Sequence, residues 1–168
     1  MFIEAKKIIG LPIAAVDVES KIGEITQLLI EPENGSLLGF LIKSGGFFSA
    51  QKVLSAVDIR EWDPNGLVTE SIENLVDPNE IVRIKEVLDK NIILIGMSAK
   101  TESGKRLGVV EDLLIDTDTN SVAKYYLKDL LGKSRVLTSD KVSRIDKAII
   151  FTDDVSEVSG GAVGAQTA

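Results

Sequence analysis

Two stretches of the chain carry the same run of apolar and polar positions. Residues 22–43 read IGEITQLLIEPENGSLLGFLIK, and residues 107–128 read LGVVEDLLIDTDTNSVAKYYLK. They align without a gap at an offset of 85 positions. Each opens on a glycine, Gly23 or Gly108, and continues into an apolar segment ending Leu28-Leu29-Ile30 or Leu113-Leu114-Ile115. A polar turn follows at residues 31–36 or 116–121, rich in the residue types that favour turns. A second apolar segment then runs through residues 37–42 or 122–127. Strand, short polar turn, strand predicts a β-hairpin in each copy. Identities at Gly23/Gly108, Leu28/Leu113, Leu29/Leu114, Ile30/Ile115, Ser36/Ser121 and Lys43/Lys128 exceed the roughly one or two that average composition gives by chance.

The pattern around the hairpins predicts two units. Residues 1–71 form the first. In it, residues 7–16 read as a strand, with Pro12 suggesting an edge or a bulge. A short strand is expected at Val53-Leu54, a tight turn at Asp63-Pro64-Asn65-Gly66 and a closing strand at Leu67-Val68-Thr69. Residues 92–153 repeat this order, with strands at 92–97, at Val136-Leu137 and at Ile149-Ile150-Phe151. Between the units lies a linker, residues 72–91. There Asp77-Pro78-Asn79-Glu80 has the form of a capped helix start. Ile81, Ile84 and Leu88 follow at helical spacing, so a helix to about residue 89 should pack on one unit or between both. Residues 154–168 are small and polar without period and read as a disordered tail. The fold class is mainly β: two tandem small, partly open β-barrels joined by a short helix.

Composition narrows the chemistry. The chain has 168 residues, a net charge of −7 and a pI near 4.7. Such a balance lacks the electrostatic footprint of direct nucleic-acid binding. It contains neither Cys nor His. Disulfides, thiolate nucleophiles, His-based triads and zinc or haem ligation by His or Cys are excluded. No apolar run reaches the ~18 residues of a membrane span. Lys6 and Lys7 before the apolar run 8–16 imitate a leader. Yet Ile8-Ile9-Gly10-Leu11 has its counterpart in Leu94-Ile95-Gly96-Met97, so a first strand is the better reading.

Three constellations invite sharper readings. Asp116-Thr117-Asp118-Thr119-Asn120 imitates the start of a calcium loop, but Ser121 and Leu127 stand where that loop needs Gly and Glu, so a solvated turn is expected and no metal. Glu111, Asp112 and Asp116 suggest acid–base work. Strand alternation would put Glu111 and Asp112 on opposite faces, which favours simple solvation. Gly160-Gly161 and Gly164 follow no strand and open no helix, so they fail as a phosphate loop.

The candidate site is apolar. Phe47-Phe48 in the first unit and Leu130-Leu131 in the second occupy the same loop. The favoured reading is that each pair plugs an open barrel end; the other is that it forms an exposed docking surface, since apolar patches left in water mark interfaces. Trp62 has Ile145 as its match and is assigned either to the contact between units or to a partner.

Glu102-Ser103-Gly104-Lys105-Arg106-Leu107-Gly108-Val109-Val110-Glu111-Asp112, followed by Ile115-Asp116, resembles the signature of PRC-barrel domains, a family named for the H subunit of the photosynthetic reaction centre. The first copy departs from it: Glu19-Ser20-Lys21 lacks the turn glycine, and Gln27 replaces the acidic residue. The resemblance implies a small, partly open barrel of five or six strands in each unit. It also implies a protein-interaction or scaffolding module, as in the reaction centre and in a ribosome-maturation factor. The expectation is a non-enzymatic, cytoplasmic chain that binds a protein partner or itself, with no catalytic residue and no cofactor. The alternatives are an accessory protein of ribosome or RNA processing, or a small-ligand binder built on Asp112 or Asp116 with Lys128.

Overall fold

The computed structural model describes residues 1–45 and 50–155. The first part of the chain forms β1 (Phe2–Glu4), α1 (Ala5–Ile8), β2 (Pro12–Ala15), β3 (Ser20–Ile30), β4 (Leu37–Lys43), β5 (Lys52–Ser55), β6 (Ile59–Asp63), β7 (Gly66–Thr69) and β8 (Leu75–Val76). After α2 (Val82–Asp89) come β9 (Ser98–Thr101), β10 (Arg106–Asp116), β11 (Ser121–Lys128), β12 (Ser134–Thr138), β13 (Val142–Ile145) and β14 (Ile149–Phe151).

The first sheet runs β6-β7-β2-β3-β4-β5-β8, and the second runs β13-β14-β9-β10-β11-β12. Six strands correspond one to one. In both sheets the pair that closes the unit, β2 with β7 or β9 with β14, is parallel, while the rest are antiparallel. Neither ladder returns to its first strand, so both barrels are partly open. Even the irregularities are duplicated. The β3–β4 register slips between Ile25 and Gln27 and again between Leu29 and Ile30; the β10–β11 register slips at the equivalent Val110/Asp112 and Leu114/Ile115. Such bulges sharpen the twist, which lets a long strand curl around a small core. Gly108, at φ +122°, passes so close to β11 that a Cβ there would meet the Lys128 carbonyl oxygen at 2.4 Å. Only glycine fits such an approach.

Two expected strands are corrected. Residues 7–16 begin in α1, and only Pro12–Ala15 is strand. That strand is interior, flanked by β3 and β7; Pro12 is tolerated because it stands first, where no ladder donor is needed. Residues 92–97 form turns ahead of β9 instead of a strand. They are held by reciprocal bonds, Gly96 N to Val110 O and Val110 N to Met97 O, which reproduce Gly10 N to Ile25 O and Ile25 N to Leu11 O. In both places a positive-φ glycine, Gly10 or Gly96, turns the chain out of extension.

The linker helix is also more segmented than its pattern. Asp77 and Glu80 form the predicted capping box, but it starts a 3-10 turn at Pro78–Glu80; Ile81 is extended, and α2 begins after it. The helix settles on the first barrel. Its Ile84 packs with Leu29, Leu41 and Val53 in a cluster apart from the main core, with Ile81 and Leu88 at the margin. Arg83 anchors it by donating from Nε and Nη2 to Glu31 at 3.1 and 2.8 Å.

The two barrels share one core. Buried residues from both, including Phe40, Ile42, Leu113 and Tyr125, fall in a single cluster. The units meet at their hairpin turns through a bridge between Ser36 and Ser121, which are the same position of the repeat. Leu37 N donates to Asn120 O at 2.8 Å, and Val122 N donates to Gly35 O at 2.9 Å. Each bond is the other's image under the duplication, so a pseudo-twofold axis passes between the two serines. The chain start adds a second tie. β1 pairs with β10, Ile3 opposite Ile115, so the N-terminal strand joins the second sheet. Ala5 and Ile8 of α1 are fully buried in the shared core.

Candidate interaction surface

The β11–β12 loop is shaped by one carboxylate. Asp129 Oδ1 accepts from Leu131 N at 2.9 Å and from Lys133 N at 2.8 Å. Its carbonyl accepts from Gly132 N, and its own N–H donates to Lys133 O. Gly132 takes φ +81°, which closes the turn. With the backbone committed inward, the two intervening side chains point out. Leu130 is 96% exposed and Leu131 95%. The expectation that this pair plugs the barrel end is therefore corrected. A turn this short holds its backbone bonds within itself and leaves its apolar side chains nowhere to fold back. Phe47 and Phe48 lie outside the described residues.

Beside the pair runs an open groove of about 790 Å³. Its walls are apolar, with Val109 and Ala99 among them; Val109 is 42% exposed. Lys100, Arg106 and Lys128 bring positive charge, Glu111 and Asp129 negative. Lys128 Nζ stands 3.6 Å from Glu111 Oε1 in a pair with both partners exposed, so it orients more than it stabilises. The groove can bury an apolar side chain and ion-pair with charges at its rim. The sequence reading missed Lys100, Arg106 and Val109, because the antiparallel β9–β10 pairing that gathers them, with its bulge between Arg106 and Gly108, leaves no periodic mark.

The other candidates disperse. Trp62 sits half-buried on β6 and meets Phe40 edge-to-face, centroids 5.7 Å apart at 68°. Phe40 belongs to the same barrel. Glu111 and Asp112 are not set apart by strand alternation. The bulge takes up Glu111, which faces the groove, while Asp112 Oδ1 accepts from Lys6 N at 3.1 Å and from Leu113 N at 2.8 Å. Asp116 accepts from Asp118 N inside its turn, and Asp118 binds the N-terminal amine at 3.0 Å. The three carboxylates thus have three separate tasks. Neither Asp112 nor Asp116 lines the groove with Lys128. Among the described residues there is no group of three or more acidic side chains placed to hold a metal ion, and no helix long and apolar enough to cross a membrane.

Two partly open barrels that share six corresponding strands and an internal axis, with chemistry-poor turns and an exposed apolar loop, define a tandem small-barrel protein. The PRC-barrel domain family matches residues 1–74 and 94–158, and the chain belongs to that family. No curated protein matches the sequence.

Proposed function

We propose that the chain is a non-enzymatic, cytoplasmic interaction module that binds a protein through the second barrel. The observation that carries this is the near-total exposure of Leu130 and Leu131 on a turn whose own backbone bonds hold them outward. Adjacent large apolar side chains held in water favour association. The groove beside them supplies a place for a partner's apolar side chain, with a charged rim to fix its orientation. Self-association is the simplest form of this reading.

The test replaces both leucines by aspartate. As they touch solvent almost exclusively, the double variant should melt like the parent. Sedimentation and photo-crosslinking from position 109, in the groove beside the pair, should show a protein adduct with the parent leucines and lose it with the double variant. A parent chain that is monomeric and yields no adduct overturns the proposal. Co-sedimentation with ribosomal particles that fades with rising salt would instead favour the ribosome-associated reading.

A further inference from the structure

The duplication sets up a comparison between the outer faces of the two barrels. On the first, Leu29, Leu41 and Val53 lie under α2 and are almost fully buried, at 0%, 6% and 0% exposure. Their counterparts on the second barrel are Leu114, Tyr126 and Val136. The ladders keep the same neighbours: Leu41 opposes Val53, and Tyr126 opposes Val136. Yet all three counterparts are only half-buried, and none belongs to either hydrophobic cluster. Among the described residues no counterpart of α2 lies over them; β1 and α1 border the face at one edge, where Glu4 stands opposite Leu114 and Asp112 accepts from Lys6 N. The same apolar face is thus covered by a helix in one barrel and only bordered by β1 and α1 in the other.

The covered copy says what fits the open one. Ile81, at the entrance to α2, and Ile84 and Leu88 on it pack on the first barrel, and Arg83 pairs with Glu31 at the rim. The position equivalent to the buried Glu31 is Asp116, also acidic but only half-buried. One difference is electrostatic: Lys124 stands on the open face where the first barrel has Gly39. We propose that the face formed by Leu114, Tyr126 and Val136 receives an amphipathic helix of a protein partner, with apolar residues at i, i+3 and i+7, a basic residue at i+2 meeting Asp116, and an acidic residue meeting Lys124. Helices laid in apolar grooves are read through such spacing. This surface shares no residue with the groove beside Leu130 and does not depend on it.

The probe is a capped synthetic peptide with the sequence of residues 77–90, which carries this pattern. It is titrated into the isotope-labelled full chain while backbone amide resonances are followed. Saturable shifts centred on Leu114, Tyr126 and Val136 are expected. Ile84→Asp in the peptide, or Tyr126→Glu in a chain whose melting is unchanged, should weaken binding by about tenfold or more. Should the Tyr126 variant fail to fold, the peptide variant carries the comparison. No shifts up to about 1 mM peptide, or shifts confined to the first barrel, overturn the proposal. So does a parent dimer that Tyr126→Glu dissociates, because the occupant is then a second copy. The chain has no cysteine, so Ala162→Cys can carry a single nitroxide. Broadening of the Leu114 and Tyr126 amides by that label assigns the face to the chain's own terminal residues and overturns the proposal equally.

Discussion

Tyr125 shows how one side chain ties chemistry to architecture. Its ring is 1% exposed and stacks edge-to-face on Phe151 at 5.6 Å. Its hydroxyl lies beside Gly35 of the other barrel's turn. Burial pushes its phenol up to about 12. In the unfolded chain the phenol ionises near pH 10, so the stability its burial contributes is complete below that pH and is lost as pH rises toward 12. Denaturant melts between pH 8 and 11.5 should show a decline that Tyr125→Phe reduces by up to ~2 kcal/mol. Equal declines in the two proteins would mean that the hydroxyl finds water in the folded state. A second residue-scale device is an exchange of partners between the copies. Asp17 accepts from the Ser71 hydroxyl at 2.7 Å and from Ile72 N, joining the β2–β3 turn to the chain after β7. In the second barrel the carboxylate sits on the other side of the same junction, and Asp153 accepts from Ser103 N at 3.0 Å. Serine hydrogen bonds hold both carboxyls below the ordinary aspartate value, as the leading cause in each.

Among the elements, β3 and β10 show what the pattern could and could not tell. Both hairpins, the Asp63 turn, and the short strands around Val53, Val136 and Ile149 were legible because period-2 alternation and turn residues are local signals. The run Leu113-Leu114-Ile115 was legible as strand but not as to face. Leu113 and Ile115 are buried at 2% and 0%, while Leu114 faces outward, half-buried. Its equivalent Leu29 is covered only because α2 lies there. Leu113→Ala should therefore cost ~2–5 kcal/mol, and Leu114→Ala distinctly less, about 1 kcal/mol, in thermal or denaturant melts. Equal losses would contradict the face assignment. The N-terminal helix was illegible for a related reason. Four residues are too few for a helical period, and α1 exists because Ala5 and Ile8 fill the core across the barrel boundary. At the site, the apolar pair was legible as a pair. Its exposure was not, since that depends on where Asp129 directs the backbone bonds of its turn.

At the scale of the whole molecule, the shared core and the bridge at Ser36 and Ser121 make one folding unit of two barrels. Calorimetry should show a single transition with equal calorimetric and van't Hoff enthalpies, and far-ultraviolet circular dichroism should melt at the same temperature. Two resolved transitions would mean that the barrels are independent and that the pseudo-twofold contact is superficial. Broken symmetry sits on top of this frame. The axis relates strands, bulges and turn bonds, but α2 covers one outer face and β1 extends the other sheet.

The pairing of β1 with β10 carries a topological consequence. The polypeptide is interlaced: the leading residues of the front half complete the back half. A gene divided at the connecting helix would give a front fragment with an unseated leader and a back fragment lacking one rung of its sheet. Co-production of the two pieces would let the leader find its slot again, so reconstitution in trans is built into the way this duplicated gene product is threaded.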